Sequence, residues 1–100
     1  MPKKILVVDD EELIIKTVSK LLVREGYGVT ISHSGREAIE EIKNGSFDLI
    51  VTDIRMPELN GIETLIQIRA LLKQKGSPKI PEICITGYAD EETNKKAEAL

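Results

Sequence analysis

Acidic side chains gather at two points of this 100-residue chain. Asp9-Asp10-Glu11-Glu12 follows directly on the aliphatic run Ile5-Leu6-Val7-Val8, and Asp53 closes a second run, Leu49-Ile50-Val51-Thr52. A third apolar run, Ile83-Cys84-Ile85, ends in Thr86-Gly87. Carboxylates brought together repel, and each raises the pKa of the others. A divalent cation resolves such a cluster. Mg²⁺ suits it best, because that ion takes hard oxygen ligands, keeps several waters and needs only one or two carboxylates. An ion held this way has open positions that a phosphate can fill, and it neutralises charge during phosphoryl transfer. An aspartate can itself attack phosphorus and form an aspartyl phosphate. Thr86 would offer a hydroxyl across the site, and Gly87 would let backbone N–H groups approach an anion.

These residues converge only if the intervening elements bring them together. Lys4 to Val8 is a continuous apolar strand, too short for a buried helix. Glu11 to Glu25 has Ile14, Val18, Leu21 and Leu22 at helical spacing, and Gly26 stops it. Val29 to Ser32 is a β-branched strand. Ser34-Gly35-Arg36-Glu37 has capping-box spacing and opens a helix carrying Ala38, Ile39 and Ile42, closed by Asn44-Gly45. Asp48 to Thr52 is a third strand. Asn60-Gly61-Ile62-Glu63 resembles another cap, and Ile62, Leu65, Ile66, Arg69 and Leu72 form the stripe of the helix it opens. Residues 76–81 are a loop, since Pro78 and Pro81 forbid regular pairing. Glu82 to Thr86 is a fourth strand, and Asp90 opens a polar helix.

Apolar strands alternating with amphipathic helices imply an α/β domain with a parallel sheet covered on both faces. In such sheets ligands bind beyond the carboxyl ends of the strands, where the strand order reverses. In a 2-1-3-4 order the first and third strands are neighbours, so Asp9, Asp10 and Asp53 meet in one patch.

Three segments together carry a family resemblance: Ile5-Leu6-Val7-Val8-Asp9-Asp10-Glu11, the stretch from Leu49 to Gly61 containing Asp53-Ile54-Arg55-Met56-Pro57, and Ile85-Thr86-Gly87-Tyr88-Ala89. With this spacing, along nearly the whole chain, the sequence resembles the receiver domain of bacterial two-component response regulators. The resemblance implies a flavodoxin-like, doubly wound, three-layer α/β/α domain over residues 1–100. It implies Asp53 as phosphoacceptor, with Asp9, Asp10, Asp53 and the backbone carbonyl of Arg55 as the protein's share of a Mg²⁺ shell. Thr86 becomes the switch hydroxyl, with Gly87 beside it. Pro57 and Gly61 shape the loop after Asp53, and Arg55 and Tyr88 are candidate modulators of phosphoryl lifetime. The donor would be a phosphohistidine on a sensor histidine kinase or phosphotransfer protein. The effect would pass through the fourth strand and its helix to an output domain or partner. Such a protein is not an enzyme with a separate substrate; it catalyses only its own phosphorylation and dephosphorylation.

The chain departs from the family in one respect. Receivers carry a fifth strand and helix with a catalytic lysine, and neither they nor that lysine are found here. The receiver is therefore expected to be C-terminally incomplete, either as a fragment or because the protein works without that element. An unpaired fourth strand would be an exposed edge prone to pairing with another chain, giving a homodimer. A pseudo-receiver, a protein-interaction module that is not phosphorylated, is the alternative.

Other readings compete with these. Asp9 or Asp10 alone would suffice as a helix N-cap, but a cap does not explain Asp53. A nucleotide- or flavin-binding module would need a glycine-rich phosphate loop where Asp9 to Glu12 stand. A phosphohydrolase of the haloacid-dehalogenase type would want an acid two residues on from an aspartyl nucleophile and a later lysine. Asp9 does have Glu11 two residues on, but no such lysine is evident. His33 reads as a solvated loop residue and Cys84 as a small core residue. Lys3-Lys4 and Lys95-Lys96 read as solvated charge, and Glu11-Glu12 complement a helix dipole.

Composition narrows the class further. With 41% hydrophobic and 31% charged residues the chain is an ordinary globular domain. A net charge of −3 and three aromatics argue against nucleic-acid binding by this segment. The single cysteine excludes an internal disulfide and fits a reducing cytoplasm. The longest aliphatic run is far too short to span a membrane.

Overall fold

In the computed structural model, which describes residues 2–85, four parallel strands form one sheet in the order β2-β1-β3-β4. In chain order the elements are β1 (Lys4–Val8), α1 (Glu12–Arg24), β2 (Gly28–Ser32), α2 (Gly35–Asn44), β3 (Leu49–Asp53), α3 (Gly61–Lys75) and β4 (Glu82–Ile85). This is the flavodoxin-like order expected from the sequence. The helix expected from Asp90 lies outside the described residues, as do Thr86, Gly87, Tyr88, Lys95 and Lys96.

The strands are apolar throughout because both sheet faces are covered. Side chains alternate across a strand. Leu6 and Val8 of β1 and Ile50 of β3 therefore point to one face, where Ala38 and Ile42 of α2 and Leu65, Ile68 and Leu72 of α3 close the main core. Ile5, Val7 and Val51 point to the other, against Val18 and Leu22 of α1. Helices on both faces make three layers.

The caps follow the sequence closely. Ser34 Oγ accepts the Glu37 N–H at 3.1 Å, and Asn60 and Glu63 form a complete capping box. The N-cap of α1 is Glu11, without a side-chain bond, so neither Asp9 nor Asp10 caps that helix.

Two helix faces differ from the sequence reading. In α3 the buried line is Gly61, Thr64, Leu65, Ile68 and Leu72, whereas Ile66 is 54% exposed. In α1 the buried residue is Ile15, and Leu21 is exposed. The expected α3 stripe drifted because hydrophobicity is nearly even around this helix. The close packing of Gly61 and Thr64, two small residues, selects the face that turns inward.

Arg69, on the edge of that face, reaches across to β4. Its Nε donates to Glu82 Oε2 at 2.9 Å, and its Nη2 meets Glu82 Oε1. Cys84 is half-buried against the same core, and burial pushes its thiol pKa up. Among the described residues no helix is long and apolar enough to cross a membrane.

The face assignment of α3 is testable by urea unfolding. Leu65→Ala should cost about 2–5 kcal/mol. Ile66→Ala should change stability by no more than about 0.5 kcal/mol.

Candidate phosphoacceptor site

Parallel pairing places the carboxylates. Val8 is opposite Thr52 in the β1–β3 ladder, so Asp9 and Asp53, the next residue on each strand, leave the sheet side by side. The β1–β2 ladder ends with Val8 opposite Ser32, and the Asp9 N–H donates to the Ser32 carbonyl at 3.1 Å. One carboxylate oxygen from each of Asp9, Asp10 and Asp53 lies within 4.8 Å of the others. Asp9 and Asp53 are buried, at 2% and 7% exposure, while Asp10 faces solvent.

Backbone donors orient the two buried carboxylates. Asp9 Oδ1 accepts the Glu11 N–H at 3.0 Å, and Asp53 Oδ1 accepts the Arg55 N–H at 3.3 Å. Both bonds favour the ionised acids, yet they do not offset the burial. Desolvation, the Asp9 charge and, to a smaller extent, Asp10 push the Asp53 pKa up to about 6. Asp9 is raised as well, chiefly by burial, with Asp10 adding repulsion. The donor set is all oxygen, from carboxylates short of solvation, which is the chemistry of a hard divalent-cation site.

The β3–α3 loop holds Asp53 from behind. The Gly61 N–H donates to the Ile54 carbonyl at 2.9 Å. A Cβ on Gly61 would lie 2.1 Å from the Asp53 carbonyl oxygen, so no other residue fits. Pro57 lies exposed in the same loop, its carbonyl accepting the Leu59 N–H at 2.8 Å. Glu58 adopts φ +64°, a left-handed conformation that costs a non-glycine residue about 1–2 kcal/mol. Arg55 is exposed, two residues beyond Asp53.

The site residues predicted from the sequence thus separate into groups. Asp9, Asp10 and Asp53 come together, and Arg55 and Gly61 contact Asp53 from its following loop, in which Pro57 lies exposed. Thr86, Gly87 and Tyr88 lie outside the described residues. The sequence reading missed contacts from the β2–α2 corner. His33 is half-exposed, but its Nε2 lies 2.9 Å from Glu12 Oε1 at the start of α1. Arg36 Nε lies 3.2 Å from Glu58 Oε2. No local pattern in the sequence signals these ties, because each joins side chains from segments remote in the chain.

Because folding raises the Asp53 pKa, the native state binds this proton more tightly than the unfolded chain. The ionised group therefore opposes folding above about pH 6, and the penalty fades as pH falls from 6 toward 4. Without divalent cations, Asp53→Asn should stabilise the protein at pH 7 by on the order of 1–3 kcal/mol. The gain should shrink at pH 4.5, measured by urea unfolding in chelator.

The sequence pattern of the response regulator receiver domain matches residues 5–100. The chain is 41% identical over 93 residues to the transcriptional regulatory protein ZraR of Escherichia coli K12, covering 93% of this chain and 20% of that protein. It therefore spans about a fifth of that relative's length. Vibrio cholerae chemotaxis protein CheY4 superposes with a TM-score of 0.82 at 30% identity, over 99% of this chain and 80% of that one. The receiver domain of the Arabidopsis thaliana histidine kinase CKI1, complexed with Mg²⁺ and BeF₃⁻, superposes with a TM-score of 0.79 at 31% identity, over 97% and 75%. With its acidic cluster at the carboxyl ends of β1 and β3, the chain belongs to the response regulator receiver domain family.

Proposed function

We propose that the chain is a phosphorylation switch in which Asp53 accepts a phosphoryl group from a phosphohistidine of a sensor kinase or phosphotransfer protein. The observation that carries this reading is the meeting of three carboxylates at the ends of two adjacent strands, with Asp53 the most perturbed. A carboxyl with a pKa of about 6 is mostly ionised at neutral pH and ready to act as a nucleophile. An Asp53 oxygen attacks phosphorus, the O–P bond forms, and the P–N bond of the donor breaks with its electron pair returning to the imidazole. Asp9, Asp10, Asp53 and the Arg55 carbonyl would hold Mg²⁺, which supplies charge neutralisation for the incoming phosphoryl group. The CKI1 receiver domain complexed with Mg²⁺ and BeF₃⁻ supports uptake of a divalent cation together with an anion by this fold.

Thr86 then supplies a hydroxyl to the phosphoryl group. A charge-assisted hydrogen bond of about 1.5–3 kcal/mol shifts a two-state equilibrium by one to two powers of ten. Gly87 gives the phosphoryl group close backbone approach, and Arg55 and Tyr88 tune its lifetime. The output is a following domain or a separate partner, and ZraR, a transcriptional regulatory protein about five times longer than the matched region, supports the first. The protein works in the cytoplasm and turns over no substrate other than its own phosphoryl group. Among the described residues β4 is a sheet edge with Ile83 51% exposed, and self-association through it belongs to the same reading. Sedimentation across concentrations should show a dimer, and a strictly monomeric chain removes that part.

Intact-mass measurement tests the central claim. Incubation with a small-molecule phosphodonor and Mg²⁺ should add one phosphoryl group to the wild-type chain and none to Asp53→Asn. Chelation of the metal should abolish the adduct. A folded wild-type chain that gains no adduct would instead be a pseudo-receiver, a binding module of the same fold.

A further inference from the structure

The corner between β2 and α2 contributes no carboxylate to the acidic cluster, yet it touches both loops that do. On the β1 side it is tied by the Asp9 N–H to the Ser32 carbonyl and by His33 to Glu12. On the β3 side the contact is tighter. A Cβ on Gly35 would lie 2.1 Å from Thr64 Oγ1, 3.0 Å from Leu59 Cδ2 and 3.1 Å from the Leu59 carbonyl oxygen. Under 3 Å something must shift, and Thr64 has nowhere to go. It is fully buried, and its Oγ1 donates to the Asn60 carbonyl at 2.8 Å. Asn60 caps α3, and the next residue, Gly61, lies against the Asp53 carbonyl and bonds Ile54. An unbroken line of contacts therefore runs from Gly35 through Thr64, Asn60 and Gly61 to Asp53. Leu59 lies on the same line, half-buried over Gly35.

We propose that Gly35 is a positioning residue for the acidic cluster: its missing side chain lets the β3–α3 loop seat on α2, and that seating holds Asp53 at the spacing from Asp9 and Asp10 at which one divalent cation can be shared. The inference rests on the reading that this cluster binds Mg²⁺. Groups that orient metal ligands without touching the metal commonly change affinity 10–100-fold when altered. Gly35 would act the same way through packing instead of a hydrogen bond. The Arg36–Glu58 pair adds a second tether from α2 to the same loop. Both side chains are more than 70% exposed, so the packing contact carries the main effect.

Mg²⁺ affinity, measured by calorimetry and by amide shifts on the full chain, tests this without reference to phosphorylation. Gly35→Ala and Leu59→Ala should each weaken Mg²⁺ binding about tenfold or more while far-UV circular dichroism stays native. If Gly35→Ala does not fold, Leu59→Ala carries the test, because it only trims a half-buried loop side chain. Leu72→Ala, at the far end of α3, is the control: it should lower thermal stability and leave Mg²⁺ affinity unchanged. Wild-type affinity in folded Gly35→Ala and Leu59→Ala overturns the proposal. Equal weakening in Leu72→Ala also overturns it, since general destabilisation would then suffice. A wild-type chain that takes up no Mg²⁺ overturns the underlying metal reading first, and so the two failures are distinguishable.

Discussion

The parallel pairing of β1 with β3 is the constraint on which the rest of this structure depends. Once Val8 stands opposite Thr52, Asp9 and Asp53 must emerge together from the carboxyl edge of the sheet. Both are buried there, beside a third carboxylate on Asp10. The cost is desolvation plus like-charge repulsion, and it appears as raised pKa values on Asp9 and Asp53. The surrounding apolar strands compensate. Ile5, Leu6, Val7, Val8, Ile50 and Val51 are all buried, on two faces, within a few residues of the site. A stable sheet can thus hold an arrangement that the carboxylates alone would not adopt.

Among the described residues, several contacts near the cluster orient a carboxylate or hold the loop behind it. Two backbone N–H groups, from Glu11 and Arg55, aim the buried acids. Gly61 lets α3 begin in contact with the Asp53 carbonyl. The Asn60–Glu63 capping box then starts the helix at that point and no earlier. The left-handed Glu58 shows the loop held in a conformation its own sequence does not favour. Strain of this kind persists only where surrounding packing over-determines the backbone. Midway along α3, the Arg69–Glu82 pair joins that helix to β4, the strand that leads toward Thr86.

Much of this was legible in the residues. The strands are short, β-branched and aliphatic, so period and length identified them. Ser34, Asn60 and Gly26 marked helix boundaries through chemistry that acts within four residues. The acidic cluster was legible because each aspartate closes a strand, and the strand order followed from the family resemblance. What the residues did not disclose was which way the weakly amphipathic α3 would turn. Ile66 is as apolar as Leu65, and only contact with the sheet and α2 separates them. In α1 the apolar face is well defined, with Val18 and Leu22 packed on the sheet, and only its edge differed: contact with the sheet buries Ile15 and leaves Leu21 exposed. The ties from the β2–α2 corner were also hidden, since Gly35 and Thr64 are 29 positions apart and neither is unusual alone.

By itself, then, the sequence determined the element types, their caps and the identities of the residues that meet at the acidic patch. These depend on local propensity, hydrophobic period and strand-end position, all of which act over a few residues. The tertiary structure alone decided which helix faces are buried, how far the Asp53 pKa rises and which glycines admit no side chain. Those properties are set by distances between segments remote in the chain. Desolvation and close packing exist only once the segments are assembled.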